Sequence, residues 1–385
     1  MSRFLPLFDL YLHYLNKIID ILLKYFYFYV KLYNKLFETF FIARKPVSFM
    51  SESTIKDVAR TAHVSIGTAS MALNGKPGVN EDTRQRVLEA ARILNYKPNR
   101  YARFLTGKKT NVVGLIVTDI TNPFFGNMID VIQEELGHHG YDIVLGISRG
   151  SISEEKRIIQ KFIDLHVDGV IAVPSHNPTP DTFHYQKLQN LNIPICFITS
   201  YYPNIEAPCV MTDLSDGAYQ LTKYLLENGH HRIAYLVGNR SVPVSNLRVE
   251  GYLSAYRSLG ISHQSSWIVA DEVTFQGGYS ATEHVLSQFR PDAILTVNDF
   301  MAMGVLKCLK ERHIKVPQDI SVAGYDDLLY ASVLETPLTT VHQPIKQICQ
   351  RTVSTMLNLL SDANTPVEKV LLKPKLVIRE SSCPH

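Results

Sequence analysis

The chain has 385 residues, 45% of them hydrophobic and 19% charged. That composition suits two or three folded domains and excludes a disordered, collagen-like or disulfide-scaffold protein. The formal net charge of +3 is unevenly spread. Residues 1–49 hold seven basic and three acidic side chains, residues 50–110 eleven and five, and residues 111–385 twenty-one and twenty-eight. A short basic stretch ahead of a long acidic one points to a polyanion-binding module on a soluble body. Cysteine usage agrees with a reducing compartment. Cys196, Cys209, Cys308, Cys349 and Cys383 make an odd count with no C-x-x-C, which fits neither a disulfide framework nor a zinc site.

Residues 1–49 form an atypical extension with 14 of the 38 aromatic residues and no glycine. No short apolar core leads to a small-residue cleavage site, so a secretory signal is not expected. Lys17, Asp20, Lys24, Lys31, Lys35 and Glu38 break the apolar run before it reaches about 18 residues, which argues against a simple membrane span. Their near-helical spacing fits an amphipathic helix with a narrow polar stripe. Three readings stand: a mis-assigned start with Met50 as the true one, an interfacial membrane anchor, or a partner helix. None of the functional reading rests on this stretch.

Residues 52–98 predict a small helical module. Thr54 caps a first helix, with Asp57 three residues on and Ile55, Val58, Ala59 and Ala62 forming its apolar face. After a break at His63-Val64, Ser65 caps a second helix from Ile66 to about Leu73, which Asn74-Gly75 ends. Two short helices joined by so short a turn make a helix-turn-helix. Asn80 caps a third helix, with Val87, Leu88, Ala91 and Leu94 expected to face inward. Residues 99–110 form a short basic stretch, capped at Asn99, too short for a stable isolated helix.

This segment resembles the headpiece of the lactose-repressor (LacI) family of bacterial transcription regulators. The matching strings are TIKDVA, VS-x-x-T-x-S, LNG, TR-x-RV, NYKPN and the AR-x-L of Ala102 to Leu105. The resemblance implies that the second helix lies in the major groove. Ser65 and Thr68 then contact phosphates, and Ile66, Gly67, Ser70 and Met71 sit where base edges are read. Thr54 and Asn74 flank this DNA-facing set. Methionine cannot make the bidentate contact to guanine that an arginine makes, so Ile66 or Met71 is expected to meet a thymine methyl. His63 stands where a glycine is frequent. The resemblance further implies that residues 99–105 become a hinge helix on DNA, paired with its twin. Arg100 and Arg103 would serve phosphates and Leu105 would wedge into the minor groove.

Residues 111–385 alternate apolar runs with helix-length periodic segments. The runs are VVGLIV from Val112, DIVLGI from Asp142, DGVIAV from Asp168, PICFIT from Pro194, RIAYLVG from Arg232, SWIVAD from Ser266, DAILTV from Asp292 and ISVAGYDD from Ile320. This predicts an α/β body of doubly wound parallel sheets. Two lobes are expected, residues 111–211 with 318–340, and 212–317 with 341–385, with ligand bound between the carboxyl ends of their strands. No P-loop, G-x-G-x-x-G, G-x-S-x-G or H-E-x-x-H occurs, so neither an enzyme nor a cofactor or metal site is expected. The pairs His138-His139 and His230-His231 are read as helix ends near Gly140 and Gly229.

The body resembles the family's effector domain, similar to periplasmic sugar-binding proteins, through TNPFF, VDGVI, NGH-x-RIA, LR-x-EGY, ND-x-MAMGVL, VPQDISV-x-GYDD and LTTVHQP. The resemblance implies that Arg248 and Asp299 hold ligand hydroxyls, with Phe124 or Phe125 stacked on a sugar face. Phe275 and Trp267 are secondary candidates, and Asn298 is a candidate helix cap. The expectation is a cytoplasmic, homodimeric transcription regulator, a repressor, that binds operator DNA under control of a small carbohydrate-like effector. A membrane contact follows only if residues 1–49 are part of the protein. The alternative, a solute-binding protein of the same two-lobed fold, conflicts with residues 53–105, and a Rossmann-type enzyme lacks its fingerprint.

Overall fold

The structure, a computed structural model, describes residues 53–96, 109–175, 181–240, 242–362 and 365–384. The chain divides into two compact units between Asn99 and Arg100. The first carries helices α1 (Ile55–Thr61), α2 (Ile66–Leu73) and α3 (Glu81–Ile93). Their core is small: Val58, Ala59, Ala62, Ala69, Ala72, Val87, Ala90 and Ala91. Alanines let three short helices approach closely, at the cost of little buried area per residue.

Caps fix the start of each later helix. Ser65 Oγ accepts from Thr68 N at 3.0 Å, and Asn80 Oδ1 accepts from Thr83 N at 2.8 Å. Gly75 then takes φ +63 beyond α2. Leu88 departs from expectation, being 42% exposed. The inward stripe of α3 runs through Val87, Ala90 and Ala91, and Leu88 lies 100° round from Val87.

In the body, the first lobe is a six-stranded parallel sheet in the order β11-β5-β4-β3-β1-β2. Its strands are β1 (Val112–Val117), β2 (Asp142–Ile147), β3 (Gly169–Ala172), β4 (Ile195–Ile198), β5 (Cys209–Thr212) and β11 (Lys369–Leu372). Helices α4 (Pro123–His138), α5 (Ile152–Asp164) and α6 (Phe183–Asn190) connect the early strands. β1 is buried on both faces. Val113, Leu115 and Val117 pack with Met128, Ile132 and Leu136 of α4, while Val112 and Ile116 pack with Ile158 and Phe162 of α5. Gly114 is what lets α5 sit so close, because a Cβ there would stand 2.4 Å from the Phe162 ring.

The second lobe is a four-stranded parallel sheet, β7-β6-β8-β9. Its strands are β6 (Ile233–Val237), β7 (Ile268–Ala270), β8 (Ala293–Thr296) and β9 (Ser321–Ala323). It is covered by α7 (Leu214–Glu227), α8 (Pro243–Ser258), α9 (Phe275–Gln288) and α10 (Asp299–Glu311), and followed by the short α11 (Leu329–Val333). Apolar runs therefore became strands wherever they stood between helices. SWIVAD yields only three strand residues, because Ser265–Trp267 form a 3-10 turn first.

The division of the C-terminal segments differs from expectation. Residues 318–340 stay on the second lobe: β9 pairs with β8, and the Glu335 carboxylate pairs with Lys310 of α10. The chain crosses to the first lobe only beyond β10 (Thr340–His342). There α12 (Ile345–Ser361) lays Ile348, Cys349, Val353 and Met356 beside α4, and β11 pairs with β5. It returns as β12 (Lys375–Val377), antiparallel to β10. The reason is the open edge of β5 and the uncovered face of β3–β5, which need an apolar helix and one more strand. The hinge segment 99–110 and the extension 1–49, with Arg100, Arg103 and Leu105, lie outside the described residues, apart from Lys109 and Thr110.

Candidate DNA-binding and effector sites

Helix α2 presents one exposed edge. Ala69 and Ala72 are buried, Thr68 and Ser70 are half-buried, and Ser65, Ile66, Gly67, Met71 and Asn74 are exposed. Ile66 is 48% and Met71 36% exposed, so neither packs into the headpiece core. The Ser65 and Thr68 hydroxyls lie 2.9 Å apart at the amino end of the helix, where unsatisfied N–H groups favour anions. Asn74 turns its amide back onto Ser70 O at 2.6 Å. Thr54 is exposed, and its N–H and hydroxyl both donate to Asp57 Oδ2, at 2.9 and 2.7 Å. His63 holds φ +55, the left-handed conformation a glycine adopts freely.

In the body, a cavity of about 440 Å³ opens between the carboxyl ends of both sheets. Thr118 and Asp119 follow β1, Val173 follows β3, Thr199 and Ser200 follow β4, Gly238 follows β6, and Val297 and Asn298 follow β8. Phe124 and Phe125 line it from the start of α4, with ring centroids 5.6 Å apart and edge to face. Asn122 Oδ1 fixes that helix start by accepting from Phe124 N at 3.0 Å.

Arg248 lines the cavity from the second turn of α8. Its guanidinium carbon lies 4.8 Å from the Tyr325 ring centroid, and its Nε is buried with no hydrogen-bond partner among the described residues. Asp326 lies beside it. Burial pushes that carboxyl up to about 7, against the opposing pull of Arg248 and of Gln343. Gln343 Nε2 donates to Asp326 Oδ1 at 2.7 Å, and Gln343 Oε1 accepts from Thr212 Oγ1 at 2.6 Å. Arg149, Thr199 and Asp326 line the cavity with φ of +52, +60 and +119, a concentration of backbone strain typical of ligand sites.

Asp299 does not line the cavity. It is 2% exposed, and its carboxylate accepts from Leu328 N at 2.8 Å and Thr340 Oγ1 at 2.6 Å. Burial and the facing Asp326 push its pKa well above the carboxylate range. The wall residue of that motif is its neighbour Asn298, which also caps α10 by accepting from Met301 N at 2.8 Å. Trp267 is buried and stacked on Phe289, away from the cavity, and Phe275 lines a separate depression with Met303 and Leu306 instead. Asp326 and Gln343 escaped the sequence reading. The available signal was their position in GYDD and HQP, polar residues just past strand ends.

Among the described residues no three His, Cys, Asp or Glu side chains come together as metal ligands, and no helix is long and apolar enough to cross a membrane. Residues 54–99 match the lacI family of bacterial regulatory proteins, and residues 222–382 a periplasmic binding protein-like domain. The ribose operon repressor of Escherichia coli K12 is 31% identical over 345 residues, covering 86% of this chain and 100% of that protein. The regulator DegA of Bacillus subtilis 168 is 30% identical, over 86% and 99%. Among solved structures, the lac repressor dimer bound to operator and the anti-inducer ONPF superposes with a TM-score of 0.76 at 26% identity, over 86% of this chain and 100% of that one. The CelR–cellobiose complex gives 0.66 at 28%, with the same coverage. These proteins are regulators rather than enzymes, and the chain belongs to the LacI family of bacterial regulatory proteins, with a DNA-binding helix-turn-helix headpiece and a periplasmic-binding-protein-like effector body.

Proposed function

We propose that this protein is a cytoplasmic homodimeric repressor whose hold on its operator is set by a small hydroxyl-bearing effector in the interlobe cavity. The observation that carries the effector half is Arg248, whose buried guanidinium nitrogen has no partner among the described residues, converging with Asp326 and Asn298 on one cavity. A polyol answers that set: it accepts from Arg248, donates to Asp326 and turns a C–H face to Phe124 or Phe125. On the DNA side, Ser65, Thr68 and Thr54 hold phosphates, Ile66, Gly67, Ser70 and Met71 read base edges, and Asn74 closes the helix beside them. Residues 52–98 act as the headpiece and 99–110 as the hinge, with Arg100 and Arg103 on phosphates and Leu105 as the wedge. The homodimer has an apolar face at hand in Leu329, Tyr330 and Val333, which are 75%, 49% and 69% exposed.

The test joins both halves. The full chain is shifted on DNA from upstream of its own gene while a panel of sugars and nucleosides is titrated in. One panel member should change operator affinity, and Arg248→Met should lose that response, with effector affinity lower by about 10- to 100-fold for a lost charged hydrogen bond. A parent that binds this DNA no better than a random sequence refutes the reading.

A further inference from the structure

The first lobe holds a buried carboxylate that neither the headpiece nor the cavity wall uses. Glu155, on α5, has no exposed surface. Its Oε2 accepts from Ser175 N at 2.7 Å and from the Ser175 hydroxyl. Its Oε1 accepts from His184 Nε2 at 2.9 Å and from the Tyr202 hydroxyl at 3.1 Å, which is shared with Ser175 O at 3.0 Å. Four donors on two oxygens saturate a carboxylate, and no neutral side chain of that size accepts as many.

Two of those partners sit on the loops that build the first-lobe side of the cavity. Ser175 stands two residues beyond Val173, after β3, and Tyr202 two residues beyond Ser200, after β4. Val173, Thr199 and Ser200 all line the cavity. Thr199 is β-branched at φ +60, a conformation that persists only where its surroundings over-determine it. Thr199 N is held by Val210 O at 2.9 Å, and Tyr202 ties the far end of the same loop to Glu155. We propose that Glu155 is a positioning residue for effector binding, fixing both cavity-lining loops of the first lobe through one carboxylate. This rests on the effector reading above.

Amide hydrogen exchange on the full chain tests the anchor without any ligand. Glu155→Gln keeps one acceptor oxygen and turns an NH2 toward donors. Amides of residues 173–175 and 199–202 should then exchange at least about tenfold faster, with β1 and the second-lobe strands unchanged. Tyr202→Phe removes a single donor and should give a smaller rise confined to 199–202. Unchanged rates overturn the proposal. So does a uniform rise across the first-lobe strands in both variants, which makes Glu155 an ordinary stability element. In a second arm, D-ribose, cellobiose and adenosine are titrated into parent and Glu155→Gln. A ligand of the parent should bind the variant about tenfold more weakly, and equal affinity counts against positioning. If none of the three binds the parent, the effector reading loses its support, while the exchange arm still decides whether Glu155 holds the loops.

Discussion

Asp326→Asn isolates the cost of keeping a carboxyl in the cavity wall. The folded group takes its proton near pH 7, whereas an unfolded aspartate takes it near 3.8. The folded state therefore binds the proton more tightly, and stability falls as pH rises through that window. The cost is nil well below 3.8, grows between 3.8 and 7, and is complete above 7. Integrating that shift gives about 1.5 kcal/mol at pH 5 and about 4 kcal/mol at pH 8. Asparagine carries no charge to desolvate and keeps an oxygen for Gln343 Nε2, so it removes most of the cost. The variant should be more stable than the parent, and its lead should widen by about 2.5 kcal/mol from pH 5 to pH 8. Urea unfolding of the full chain at both pH values, followed by fluorescence, is the assay. Trp267, the single tryptophan, is buried in the second lobe and reports its unfolding alone. Comparing variant with parent cancels the other titrating groups, except Asp299, whose own shift relaxes in the same direction when its charged neighbour goes. A lead that stays constant with pH, or a variant less stable than the parent at pH 8, refutes the reasoning.

Operator affinity should fall roughly a thousandfold or more between about 50 and 200 mM salt, because a basic headpiece used twice releases many counterions; a flat log–log plot would contradict binding through residues 50–110. His63→Gly should stabilise the headpiece by about 0.5–1 kcal/mol, since His63 holds φ +55 and a left-handed side chain costs more than glycine's extra chain entropy; slower exchange at the α1 and α2 amides is the check. Gly251→Ala should destabilise the second lobe by about 3 kcal/mol or more, because the added Cβ would stand 2.1 Å from Ser215 O where α7 crosses α8; Trp267 fluorescence in urea measures it.

The residues that spoke clearly in the sequence were those with a local cause. Ser65, Asn80 and Gly75 declare helix ends through cap chemistry, and VVGLIV from Val112 declares a doubly buried strand through composition alone. The residues misread were those whose place depends on distant chain. Whether α12 belongs to one lobe or the other turns on which sheet has an uncovered face, and nothing in residues 345–361 records that. Asp299 and Asn298 are adjacent polar residues at one strand end. Only the arrival of Leu328 and Thr340, 29 and 41 positions on, consumes the Asp299 carboxylate and leaves Asn298 on the wall. Nothing local marks Glu155, because its four donors come from three separate stretches of chain.

A cavity ligand has a short path to the relation between the lobes. The chain passes from the first lobe to the second at Thr212–Asp213, back at Gln343, and over again beyond Leu372. Asp213 N donates to Leu372 O at 2.9 Å, which ties the first and third passages together. Thr212 Oγ1 donates to Gln343 Oε1, which ties the first to the second. Gln343 spends its amide on Asp326, and both residues face the cavity. A ligand hydroxyl that engages Asp326 or Gln343 thus competes with, or completes, the hydrogen bonds that join two of the passages. Any difference in that engagement between two lobe arrangements is, by linkage, a difference in effector affinity, and it biases the lobes by the same free energy. Thr212, Gln343 and Asp326 are only 0%, 3% and 8% exposed, so solvent reaches Gln343 and Asp326 through the cavity alone. A bond lost among them is made good by water in the cavity, by the ligand that displaces that water, or by a different lobe arrangement, so ligand and lobe arrangement draw on the same few polar groups.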